Sequence, residues 1–223
     1  SLKTKKVIVN EFEKNTNASV MAIYIDDIRL HFGQGVHSSF EYCQDLILSL
    51  FYQAFKSNNA IGFLSHQRFL KPSVGRSHFH AMEYMLAKYQ LKNFAHTNLY
   101  HRSTQKVSEA IQFEKKIFHY CEVSSSVFIF IPFFKGKVFS SYLESIVKCL
   151  KRGYHIEVVL VYGFKELIKK SFKDYPWLFK LQETMDSDIA EVKSYLRNKG
   201  VKVHAVEIDN QMNYHEKIRD AYV

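Results

Sequence analysis

The chain has 223 residues, 47% of them hydrophobic and 15% aromatic, which is enough to bury a full core and excludes a disordered chain. Its 31 Lys and Arg against 22 Asp and Glu leave a formal charge of +9 at pH 7, a surplus that favours nucleic acid or another phosphate-rich ligand as partner. No apolar run reaches the roughly 18 residues that span a bilayer, and the first residues lack the order of a signal peptide, so the expectation is a soluble, cytoplasmic protein without a transmembrane segment.

In chain order, Lys5-Lys-Val-Ile-Val-Asn10 reads as a short strand and Asn15-Thr-Asn-Ala18 as a turn. Val20-Met-Ala-Ile-Tyr-Ile25 is an apolar strand running into Asp26-Asp27. Tyr24-Ile-Asp-Asp27 is similar to the metal-binding turn of reverse-transcriptase palms, but the roughly twenty residues before it are not expected to hold the further carboxylate such a palm needs. At the carboxyl end of a strand, Asp26 and Asp27 are instead placed to line a crevice without holding metal. Ser38 is a candidate N-cap for a helix whose apolar stripe is Leu46, Ile47, Leu50, Phe51, Ala54 and Phe55. Asn58-Asn59 ends it, Ala60 to Leu64 is the next strand, Pro72 to Arg76 a loop, Phe79 to Tyr89 a helix and Phe94 to Tyr100 a strand. His101-Arg-Ser103 follows, then a helix from about Lys106 to Cys121.

The most regular stretch comes next. Val127-Phe-Ile-Phe-Ile131 is a buried strand, and Pro132 to Gly136 leads into a helix ending at Lys151-Arg-Gly153. Ile156 to Val161 is a strand, the pattern around Ile189 to Leu196 is a helix stopped by Gly200, and Val201 to Ile208 is a third strand before Tyr214-His-Glu-Lys217. Serine-led helices (Ser38-Ser-Phe40, Ser140-Ser-Tyr142) and Tyr-His endings (Tyr100-His101, Tyr214-His215) recur in the same order in both halves. The expected fold is therefore α/β: two similar βαβαβ halves, residues 1–105 and 106–223, packed as one body, with a mainly parallel sheet and helices on both faces.

Cys43, Cys121 and Cys149 are odd in number, widely spaced and free of any CxxC pair, which fits buried thiols and neither a disulfide framework nor a zinc site. No Gly-x-Gly-x-x-Gly, Walker A or Gly-x-Ser-x-Gly sequence is present, and no cofactor or metal is expected.

Phe128 to Phe134, Leu150 to Val158 and His215-Glu-Lys217 resemble the phospholipase D-like superfamily over about ninety residues of this chain. In that family two His-x-Lys motifs, from two halves or two subunits, meet at one phosphodiester. The resemblance implies His215 and Lys217 at one side of such a site and His101 at the other, with a homodimer as one way of pairing two motifs. Its logic needs a neutral nucleophile, an acid of similar pKa and fixed cations. The chain departs from the pattern at Ser103, which stands where the first lysine belongs, and at Tyr222, which stands where the family has an acid. His78-Phe-His80 is similar to the His-hydrophobic-His motif of rolling-circle endonucleases; a strand would aim both rings one way, whereas the helical pattern that follows would set them about 200° apart.

For binding without catalysis, the candidate phosphate contacts are Lys148, Lys151, Arg152, Lys169, Lys170 and Arg197, with Tyr154, Phe164 and Trp177 interleaved. Two functions follow as expectations: a phosphodiesterase or nuclease, or a non-catalytic binder of nucleic acid on a degenerate α/β scaffold.

Overall fold

The computed structural model describes residues 19–32, 38–91, 102–163 and 177–208. Six strands form one sheet: β1 Val20–Tyr24, β2 Ile61–Leu64, β3 Phe69–Ser73, β4 Ser126–Pro132, β5 His155–Tyr162 and β6 Lys202–Glu207. Five helices accompany them among the described residues: α1 Ser39–Lys56, α2 Arg76–Ala87, α3 Arg102–Tyr120, α4 Lys137–Lys151 and α5 Trp177–Asn198. The strand order is β3-β2-β1-β4-β5-β6, with every neighbouring pair parallel except β2 with β3. The protein is α/β with a mainly parallel sheet.

Strands β1 and β4 lie at the centre, where both faces are covered, and this explains their unbroken apolar runs: a strand buried on two sides has no polar side to alternate with. Their register, Val20 opposite Ser126 through Tyr24 opposite Phe130, also brings the Ser19 and Ser125 hydroxyls to 2.7 Å across 106 residues of sequence. Ala22, Tyr24, Phe128 and Phe130 pack with α1 and α2 on one face, through Phe51, Phe79 and Met82. Met21, Ile23, Ile129 and Ile131 pack with α3, α4 and α5 on the other, through Phe113, Tyr142, Ile146 and Leu196. The path from β1 through α1 to β2 and the path from β4 through α4 to β5 run in opposite directions along the sheet. Right-handed crossovers must then place α1 and α4 on opposite faces, as observed.

Local chemistry sets the helix ends. Ser38 caps α1, its hydroxyl accepting from the Glu41 amide at 3.2 Å, so the expected cap is in place. The matching helix of the second half starts differently. Its N-cap is Gly136, without a side-chain cap, and Ser140 lies inside the helix donating to the Gly136 carbonyl at 3.2 Å.

The expected βαβαβ order is complete in the second half, whereas the described residues of the first half hold one βαβ unit and then a strand that was not expected. Residues 69–73, partly read as loop, form β3, which turns back antiparallel beside β2, whereas β6 runs parallel to β5. The first half is thus βαββα over its described residues; the strands expected at Lys5 to Asn10 and Phe94 to Tyr100 fall outside them. Pro72 in β3 is the physical reason the strand was hidden, since proline confines a strand to a sheet edge and reads as a turn. Gly62 accommodates it: a Cβ there would lie 2.8 Å from the Leu70 carbonyl oxygen and 2.9 Å from the Pro72 ring.

Candidate functional site

All five mutually parallel strands end on one edge of the sheet, and at the β1–β4 junction the chain leaves in opposite directions. In an open α/β sheet this switch point leaves a crevice where ligands bind. Asp26 and Asp27 sit there, directly after β1, and both are buried. Ser65 and His66 occupy the equivalent place after β2.

The two carboxylates face different partners. Asp26 accepts from the His66 amide at 3.0 Å, from His66 Nδ1 at 2.6 Å, from Gln67 Nε2 at 3.0 Å and from the Tyr89 hydroxyl. Burial alone would raise the Asp26 pKa, but the His66 hydrogen bond and charge, then the Tyr89 hydroxyl, overcome it and hold the carboxyl below its ordinary value. Asp27 caps the 3-10 turn Ile28–Leu30 through the Arg29 amide at 3.1 Å. It also takes the Arg29 guanidinium in a fork, Nε at 2.8 Å and Nη2 at 2.5 Å. The same Arg29 Nη2 pairs with Glu109 of α3.

Tyr142, from the second turn of α4, joins the two. Its hydroxyl lies 3.1 Å from His66 Nε2 and 3.2 Å from Asp27 Oδ2. Phe113 of α3 packs beside both rings, with centroids 5.3 Å from His66 and 5.7 Å from Tyr142. Lys116, one turn on, donates to the His66 carbonyl at 2.5 Å. Burial, then the Asp27 charge, pushes the Tyr142 phenol well above its usual range, so it stays protonated.

What this arrangement can do follows from its open valences. A general base needs a lone pair facing its substrate, and a nucleophile needs an ionisable proton and an approach path. Both nitrogens of His66 are engaged, by Asp26 and by Tyr142, and the Tyr142 phenol is held protonated and only 1% exposed. Buried Asp26 and Asp27 spend their oxygens on donors from the protein itself. Among the described residues no group of three or more His, Cys, Asp or Glu side chains is placed to hold a metal ion. The cluster is an internally satisfied polar network that ties β1, the β2–β3 turn, the segment after α2, α3 and α4 together at the place where the fold would otherwise open. No protein-family model and no curated protein matches the chain.

The sequence-derived residues lie elsewhere. Lys148, Lys151 and Arg152 are at the end of α4 and Arg197 is in the last turn of α5. Because these helices precede the adjacent strands β5 and β6, their ends share the opposite edge of the sheet, and the four cations are brought to one side. Lys148 faces Glu114 at 3.4 Å, and the Arg152 guanidinium lies 3.8 Å above the Phe118 ring. Lys151 and Arg197 are exposed and make no ion pair among the described residues. Tyr154 is buried and stacks on Phe118. His101, Lys169, Lys170, His215 and Lys217, with Phe164, lie outside the described residues.

His78 and His80 fall on α2, not on a strand. They diverge: His78 Nε2 lies 2.6 Å from the Ile61 carbonyl, while exposed His80 meets Glu83 at 2.7 Å. The resemblance to a two-histidine metal motif is therefore corrected by helical geometry. His66, Tyr142, Arg29 and Glu109 were missed. Applying the strand-end rule to Ala60–Leu64, as it was applied to Val20–Ile25, would have found His66; nothing local marks Tyr142, whose partners lie 76 and 115 residues away. Among the described residues no helix is long and apolar enough to cross a membrane.

Proposed function

We propose that the chain binds nucleic acid through its phosphates and does not cleave it. One contrast carries this reading: the ionisable groups at the switch point are spent on one another, while exposed cations gather at the far ends of α4 and α5. Cations at helix C-termini also complement the helix dipole, worth about 0.3–1 kcal/mol each, and Lys148 and Arg152 have that use within the fold. Lys151 and Arg197 have no acidic partner among the described residues, and the chain as a whole is at +9.

Binding of a labelled oligonucleotide to the full chain at rising salt tests this. Log K should fall linearly with log salt, with a slope of about 0.9 for each phosphate contacted on a duplex. Replacing Lys151, Arg152 and Arg197 together by Glu should lower affinity and flatten that slope. No detectable binding at about 50 mM salt would overturn the reading. Metal-independent cleavage of a phosphodiester that disappears on His215→Asn would overturn its non-catalytic half and restore the phospholipase D-like assignment of His215, Lys217 and His101.

A further inference from the structure

On the reading that the chain binds nucleic acid, we infer that Phe69 and Tyr120 form a stacking platform for the bases of a single strand. Leu70 packs into the core on the α1–α2 face, so its strand neighbour Phe69 points to the other face. There Phe69 stacks on Tyr120 of α3, with centroids 4.3 Å apart and planes at 29°. His119 meets the same tyrosine edge-on at 4.6 Å. Much of each ring stands in water: Phe69 is 40% exposed and Tyr120 is 39% exposed. Two large rings left in water beside an edge strand are costly unless something covers them.

The surroundings say what kind of molecule would cover them. Arg68 precedes Phe69, exposed Lys71 follows two residues on, and Lys115 lies on the outward side of α3 with His119 one turn further on. Arg68, Lys71 and Lys115 are exposed and make no ion pair among the described residues. Of the acids on this stretch, Glu114 is already paired with Lys148, and Glu122 lies beyond the helix end. On the other flank of α3, Phe118 carries Arg152 on its ring. Aromatic faces interleaved with unpaired cations suit a ligand with both π-faces and phosphates. An unpaired strand offers both, whereas a duplex hides its bases and an acidic peptide has no bases to stack.

The test compares a ~20-nucleotide oligo-dT with a blunt duplex of equal length, titrated against the full chain. The single strand should bind more tightly. Phe69→Leu and Tyr120→Leu keep an apolar contact across the pair, so they hold the fold. Each should weaken single-strand binding about 5- to 100-fold and leave the duplex nearly unchanged. The salt slope should not move in these variants, whereas Lys71→Ala and Lys115→Ala should each flatten it by about 0.7 on the single strand. Tyr120→Phe keeps the ring and should keep the affinity. If the leucine variants weaken both ligands equally, or leave the single strand unaffected while the unmodified chain still binds it, the platform is wrong and the broader binding reading stands. If polyglutamate competes as well as oligo-dT, the partner is an acidic peptide and the platform is equally wrong. If the unmodified chain binds neither oligonucleotide, the broader reading has failed first.

Discussion

Replacing Asp26 by Ala removes the acceptor around which the switch-point network is built. Four donors converge on this side chain, but they would not suffer equally. The Tyr89 hydroxyl still has Ser65 Oγ at 2.5 Å, and Gln67 Nε2 still has the Gln90 carbonyl at 3.2 Å. The His66 amide and His66 Nδ1 lose their partner outright. With two buried donors left unmatched, each at about 1–3 kcal/mol, a loss of about 3–5 kcal/mol at pH 7 is expected. For a chain of this length that lowers the thermal midpoint by roughly 6–20 °C. The loss should also depend on pH. The folded pKa of Asp26 is depressed below 3.8, so its stabilising effect is full above that value and disappears as pH falls through the lower folded value. Urea unfolding of both proteins at pH 7 and at about pH 3 measures this. A difference under about 1 kcal/mol at neutral pH, or one undiminished at acid pH, would refute the account of the network.

Tyr142→Phe removes only the hydroxyl that bridges His66 and Asp27; since Asp27 keeps Arg29, a loss of about 1–2 kcal/mol in urea unfolding with an unchanged slope is expected. Gly62→Ala should destabilise by about 1–3 kcal/mol by pressing on Leu70 and Pro72, and a neutral or stabilising result would mean that β3 yields. Burial holds the His31 pKa down to about 4 against 6.5, so the unfolded chain takes up its proton first. Stability should therefore fall by up to about 3 kcal/mol between pH 6.5 and 4, and His31→Gln should flatten this part of the stability profile.

How much of this was legible in the sequence depends on how local the cause is. The strands Val20–Tyr24 and Ser126–Pro132 announce themselves, because burial on two faces demands apolar side chains at every position. Ser38 could be read as a cap because its partner, the Glu41 amide, is three residues on. Asp26 and Asp27 could be placed at a strand end and hence in the crevice, but not given their partners, since His66 is 40 residues away from Asp26 and Tyr142 is 115 from Asp27. β3 was hidden by Pro72 and by half-exposed residues that carry no hydrophobic alternation. The serine start expected for the second half's first helix is corrected for a similar reason: serines 140 and 141 look like a cap, yet the helix begins at Lys137 and the serines lie within it.

The pairing at the middle of the sheet has a consequence for how the chain reaches this state. β1 and β4 are the innermost neighbours in space, and they are brought together across a span such as the 106 residues from Ser19 to Ser125. Closing so long a loop costs roughly 4 kcal/mol of chain entropy before any contact between them compensates. The contacts between β1 and β2 and between β4 and β5 close much shorter loops. On a ribosome, the first strand waits with one long edge unpaired until β4 has emerged. The centre of the sheet is thus expected to close late, making the protein a slow folder whose early intermediates expose the hydrogen-bonding edge of β1 to other chains.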